Sequence, residues 1–152
     1  MIGSEQEKDW KVVQSKRWGE LRIRIEDVIQ FPRGLLGFES FKQYAIYEVE
    51  EHKPFQWLIC LEQPEIAFVI INPLIFYSTY RPKISKRDLK ELSVTSPHLL
   101  KIYSLVTLSD DPRRVTTNLS GPILLNTQTR LAKQIILLDE AYSTKYPIMP
   151  IE

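Results

Sequence analysis

The sequence predicts an all-β fold: an antiparallel β-barrel-like or sandwich domain with one short helix at about residues 85–93. Three observations carry that prediction. Seven or more short segments rich in β-branched and aromatic residues follow one another, with turn residues between them at the roughly eight-to-twelve-residue spacing of such folds. Two of the segments, Phe55 to Leu61 and Ile66 to Ile71, are nearly continuous apolar runs, as expected of central strands covered on both faces. Only one stretch reads firmly as helix.

In chain order, residues 1–16 are polar with little apolar periodicity and read as a flexible N-terminal arm, which leaves 17–152 as a single β domain. Leu21, Ile23 and Ile25 alternate with Arg22 and Arg24, the pattern of a half-buried strand, and Val28 and Ile29 continue it. Tyr44 to Val49 is the next strand, ended by the polar run Glu50-Glu51-His52-Lys53-Pro54. Asn72-Pro73 stops the second apolar run, because proline has no N–H for a ladder. Ser85 with Asp88 forms a capping-box-like helix start, and Leu89 and Leu92 share the apolar face behind it. Strands resume at Leu100 to Leu108, Val115 to Leu119, Ile123 to Asn126 and Leu131 to Leu138, with turns at Asp110-Asp111-Pro112 and Gly121-Pro122. The tail, with Pro147 and Pro150, is expected to lie along the surface.

The stretch that fits none of these patterns is Phe31 to Glu39, FPRGLLGFE. Pro32 fixes its own φ and holds Phe31 extended, and Gly34 and Gly37 can each take positive φ, so the chain turns here twice. Loops are polar because they lie in water. One carrying Phe31, Leu35, Leu36 and Phe38 either plugs an end of the sheet or offers an apolar wall to a partner. The two readings part at Leu36, between the glycines.

Composition excludes several classes of function. Lys+Arg 20 against Asp+Glu 19 leaves a net charge of +1, which argues against a protein built to coat nucleic acid or an anionic membrane. One cysteine cannot form a disulfide within the chain, and no apolar stretch approaches the roughly 20 residues that span a bilayer. With no secretory signal in the charged N-terminal region, a cytoplasmic protein is expected. Cys60, His52 and His98 are far apart, without metal-ligand spacing or a nucleophile–base signature, so no enzyme, metal or cofactor is expected. The best nucleic-acid feature is Arg81, Lys83, Lys86, Arg87 and Lys90 behind Tyr77 and Tyr80. It supports an alternative reading as a single-stranded RNA-binding β-barrel protein.

Five segments in register carry a more specific signal: FPRGLLGFE, PFQWL at 54–58, AFVIINP at 67–73, TTNLSGPILLN at 116–126 and KQIIL at 133–137. Together they resemble the flagellar assembly factor FliW family from Trp18 to Tyr146. The resemblance implies an antiparallel β-barrel-like domain without catalytic activity that binds flagellin in the cytoplasm. It also implies binding to CsrA, an RNA-binding repressor of flagellin translation, so that export of flagellin frees the protein to remove CsrA from the message. The expected partners are thus flagellin and CsrA, with no direct nucleic acid and no membrane, and the expected state is a monomer. The partner-binding residues proposed from the motifs are Phe31, Leu35, Leu36, Phe38, Asn72 and Asn118. For Asn72 and Asn118 a structural role at turns is the competing reading.

Overall fold

The computed structural model describes residues 9–138 and 141–148. Strands β1 (Trp10–Ser15) and β2 (Gly19–Arg24) form an antiparallel hairpin, with Trp10 opposite Arg24 and Ser15 opposite Gly19. The expected flexible arm is therefore a strand over Trp10–Ser15, while its first eight residues lie outside the described ones. The strand escapes a hydrophobicity pattern because two of its three inward positions are polar. Lys11 Nζ donates to Gln43 Oε1 at 2.8 Å, and Ser15 Oγ accepts from the Arg17 and Trp18 amides in the turn. Only Val13 is apolar there; with Leu21 opposite, it packs on Val28, Ala45 and Leu61.

The remaining strands are β3 (Ile29–Gln30), β4 (Gln43–Tyr47), β5 (Gln56–Cys60) and β6 (Ala67–Ile71), followed by helix α1 (Lys86–Glu91). After the helix come β7 (Leu100–Thr107), β8 (Thr116–Thr117), β9 (Ile123–Asn126), β10 (Ala132–Gln134) and β11 (Tyr146–Pro147). They make one sheet in the order β10-β9-β7-β6-β5-β4-β3, with β8 on β7 and β11 on β8. Its strand pairings are antiparallel, and the apolar runs of β5 and β6 lie at its centre, as their composition predicts. The two edges meet at a single parallel bridge, Gln30 with Leu131, where Gln30 N donates to Arg130 O at 2.9 Å. The sheet is curled and does not close into a barrel.

Three strands are shorter than the patterns predict. A 3-10 turn at Ile25–Asp27 interrupts the expected run into Gln30, Val115 to Leu119 contracts to Thr116–Thr117, and the last long strand pairs only over Ala132–Gln134. Apolar alternation reports burial, whereas a ladder also needs a neighbouring strand in register. The tail departs the other way, since Tyr146–Pro147 adds a short strand to β8.

The curl encloses Ile29, Tyr44, Leu58, Ile70, Ile123 and Leu125 as its interior core. Outside it, Leu92 at the end of α1 packs on Leu124, Ile135 and Leu137. The helix starts on the predicted cap: Asp88 N donates to Ser85 Oγ at 3.0 Å while the Asp88 carboxylate accepts from Ser85 N. A helix of six residues is too short to stand alone, so it leans on the sheet.

Candidate partner-binding site

The stretch Phe31–Glu39 closes one end of the curled sheet and divides its apolar residues between two roles. Phe31 and Leu35 are each 1% exposed and belong to the interior core, with Phe31 edge-on to Tyr44 at 5.1 Å. Phe38 is half-buried and edge-on to Phe68 at 5.1 Å. Leu36 is 69% exposed. The plug and the outward apolar surface are therefore both present, in different residues.

Backbone geometry produces that division. Gly34 and Gly37 adopt φ of +66° and +87°, and a Cβ on Gly34 would lie 2.6 Å from Glu39 Cα. Gly34 N donates to Phe31 O and Phe38 N to Leu35 O, which makes two tight turns in succession. Gly37 N also donates to the Glu39 carboxylate at 2.9 Å, the main reason that this carboxyl is held below its ordinary range. Arg33 reaches Glu91 of α1 at 2.5 Å and ties the loop to the helix. Leu36 is thus presented by a braced loop.

A chain of hydrogen bonds runs from Leu36 into the sheet. Leu36 N donates to Gln134 Oε1 at 3.0 Å, Gln134 Nε2 donates to Gly121 O at 3.0 Å, and Gly121 N donates to Asn118 Oδ1 at 3.0 Å. A Cβ on Gly121 would press on the amides of both Asn118 and Gln134, at 3.0 Å from each. Gln134 is not among the residues that the motifs single out, although a glutamine inside the apolar run KQIIL is an available signal. Beyond it, at two-residue spacing, Ile136 and Leu138 are 56% and 95% exposed. By that spacing they share the side of the chain that carries Gln134, whose side chain meets the Leu36 amide.

Phe31, Leu35, Leu36, Phe38 and Asn118 are therefore brought together, whereas Asn72 is not. Asn72 lies beyond β6, at the end of β5 opposite the loop, and its Oδ1 accepts from Leu74 N at 3.0 Å to cap a 3-10 turn. Asn118 does similar turn work, accepting from both Ser120 N and Gly121 N.

The other groups singled out from the sequence sit in ordinary surroundings. Cys60 is fully buried on β5, and burial pushes its thiol pKa up, away from a reactive thiolate. His52 is exposed and accepts from Trp57 Nε1 at 3.1 Å, and exposed His98 pairs with Ser96 Oγ at 2.8 Å. Arg81, Lys83, Lys86, Arg87 and Lys90 are exposed, but the tyrosines before them are committed to packing. Tyr77, Tyr80 and Tyr142 form one aromatic cluster, and Tyr80, 3% exposed, donates its hydroxyl to Leu119 O at 2.5 Å. Among the described residues no three His, Cys, Asp or Glu side chains are placed to hold a metal. Among those same residues no helix is long and apolar enough to cross a membrane.

A family model described as FliW protein matches residues 11–148, a span that contains the loop, Asn118 and Gln134. The chain belongs to the FliW family. A flagellar assembly factor FliW from Alkaliphilus metalliredigens is 36% identical over 139 residues, covering 91% of this chain and 86% of the relative. The FliW of Clostridium tetani is 35% identical over 140 residues, covering 92% and 97%. A crystal structure of the flagellar assembly factor FliW superimposes with a TM-score of 0.86 at 30% identity, covering 93% of this chain and 99% of that one. The antiparallel, mostly β architecture is thus that of FliW, with the sheet curled and unclosed.

Proposed function

We propose that this chain is a non-enzymatic regulatory protein of the cytoplasm. In this reading it binds flagellin and, when free of it, binds and antagonises the translational repressor CsrA, so that flagellin translation follows export. Family membership supports the flagellar role, and Leu36 is the observation that carries the site. A leucine 69% exposed, on a loop where Phe31 and Leu35 are buried and Phe38 is half-buried, exposes apolar area that water disfavours and a partner can cover. The loop is already braced by Gln134, Glu39 and Arg33, so little conformational freedom is lost on binding. With Ile136 and Leu138 it forms an apolar surface suited to the apolar face of an amphipathic helix.

The RNA-binding alternative is weaker, because Tyr80 is buried and Tyr77 is packed against it, leaving the basic cluster without free stacking rings. The test is Leu36→Asp. Melting is expected to stay nearly unchanged while flagellin affinity falls tenfold or more, about 1.4 kcal/mol. A large melting loss, or unchanged affinity in a folded variant, would remove Leu36 from the site. Pull-down from cytoplasmic extract, with partners identified by mass, tests flagellin and CsrA together without assuming either.

A further inference from the structure

Phe31 and Leu35 close one end of the curled sheet's interior; at the other end the side chains of that same interior face turn polar. The register shows which ones they are. Tyr103 pairs with Ile123 and belongs to the interior core. Lys101, two residues earlier and opposite Leu125 of that core, therefore leaves β7 on the same side. Gln56 pairs with Ile70, another core residue, and so enters from β5 on the interior face. Glu48 follows β4 and accepts from Gln56 Nε2 at 2.8 Å. The apolar interior thus gives way to Glu48, Gln56 and Lys101 where β4 ends and β5 and β7 begin.

These side chains line a cleft of about 480 Å³, a volume typical of small-molecule sites, which are common in the mouths of β-barrels. Tyr103, 6% exposed, belongs to the core and also lines the cleft. Burial raises its pKa most, with Arg130 opposing and Glu48 adding to the rise, so the phenol keeps its proton. Leu74, 45% exposed on the 3-10 turn after β6, and Pro54 add apolar lining. Charge narrows the ligand. Glu48 is engaged by Gln56 and by Lys53 at 3.7 Å, and Lys53 also holds Glu50 at 2.9 Å. Exposed Lys101 has no carboxylate partner among the described residues. Two lysines and two glutamates balance one another here, so selection rests on pairing with Lys101 and not on a field over the whole cleft.

We propose that this cleft is a binding site for a small organic carboxylate, with its carboxyl group on Lys101 and its apolar body against Leu74, Pro54 and Tyr103. The charge-assisted bond at Lys101 orients the molecule, and burial of its body supplies the attraction. A ligand that lacks either half loses one of the two contributions. The cleft lies at the end of β5 opposite the Leu36 loop, so it stands or falls independently of the site on that loop.

The probe is hydrocinnamate, titrated into the isotope-labelled full chain at constant ionic strength and followed by amide NMR. Saturable shifts are expected at Lys101, Tyr103 and Leu74, with Leu36 unmoved. The neutral amide of the same acid, which keeps the body and loses the charge, should bind tenfold or more weakly. Acetate, which keeps the charge and loses the body, should do likewise. Lys101→Met should cost hydrocinnamate at least tenfold in affinity, and Lys101→Arg should retain most of it. The acid–amide comparison uses the native chain alone and so does not depend on how a variant folds. No saturable shift at Lys101 or Tyr103 at tens of millimolar, equal binding of acid and amide, or full affinity in a folded Lys101→Met chain would overturn the proposal.

Discussion

Gly34 shows how much one residue decides in this protein. Its φ of +66° and the 2.6 Å approach of a Cβ to Glu39 Cα make any side chain there a displacement of backbone. That turn separates buried Leu35 from exposed Leu36, and so creates the surface on which the proposed function rests. Cys60 is a residue of the opposite kind. It is chemically distinctive, yet it is fully buried with its pKa raised by that burial, and it acts as a small apolar side chain. Cys60→Ser is expected to lower stability by about 1–2 kcal/mol through the buried hydroxyl, with flagellin binding intact. Chemical denaturation paired with a binding titration checks this, and a folded variant that no longer binds would contradict it.

At the scale of elements, α1 is fastened by charge as well as by Leu92. Lys133 of β10, with its side chain 12% exposed, is bonded to Asp88 at 2.7 Å and to Glu91, which also holds Arg33 of the loop. Burial opposes charge on both Asp88 and Lys133, but the bonds of Asp88 to Lys133 and Ser85, and of Lys133 to Asp88 and Glu91, outweigh it and hold the Asp88 pKa below and the Lys133 pKa above their ordinary values. The signs set the pH window. The contribution of Asp88 is complete above its ordinary 3.8 and is lost as pH falls through its lower folded value. That of Lys133 is complete below its ordinary 10.5 and is lost as pH rises through its higher folded value. Glu91, held below its ordinary 4.5 first by its bond to Lys133, behaves as Asp88 does, so the cluster's contribution is level between 4.5 and 10.5. Lys133→Met removes the cation shared by Asp88 and Glu91, leaving Asp88 with its Ser85 cap and Glu91 with Arg33 and Arg87, and should cost about 1–3 kcal/mol at neutral pH. Its loss of stability on acidification should also be shallower than that of the native chain. Parallel melting-versus-pH curves for the two proteins below pH 4 would show that the cluster contributes nothing.

At the scale of the whole molecule, the β1–β2 hairpin and the curled sheet form separate ladders that pack on each other through side chains. Val13 and Ile23 pack on Ala45 and Leu61, and Trp18 lies edge-on to Trp57 at 5.1 Å with Arg17 over both rings. That contact makes tryptophan emission a reporter of hairpin docking, while far-ultraviolet circular dichroism follows mainly the larger sheet. Because buried apolar contacts join the two ladders, both signals are expected to share one urea midpoint. An earlier midpoint in emission would mean that the hairpin undocks before the sheet unfolds.

The sequence by itself determined the all-β class, the central place of Phe55–Leu61 and Ile66–Ile71, the capped helix after Ser85 and, through five segments in register, the family. These features are local: alternation, caps and turn residues act over a few positions, and each was already in contact range along the chain. Tertiary structure alone decided that Trp10–Ser15 is a strand, because its inward Lys11 and Ser15 are satisfied by partners that no local pattern shows. It alone set Leu36 outward while Leu35 points in, and joined Leu36 to Asn118 through Gln134 and Gly121. The direction of a side chain in an irregular loop depends on backbone angles and on what lies beneath it. Residues 98 positions apart, such as Leu36 and Gln134, become neighbours only when the sheet curls.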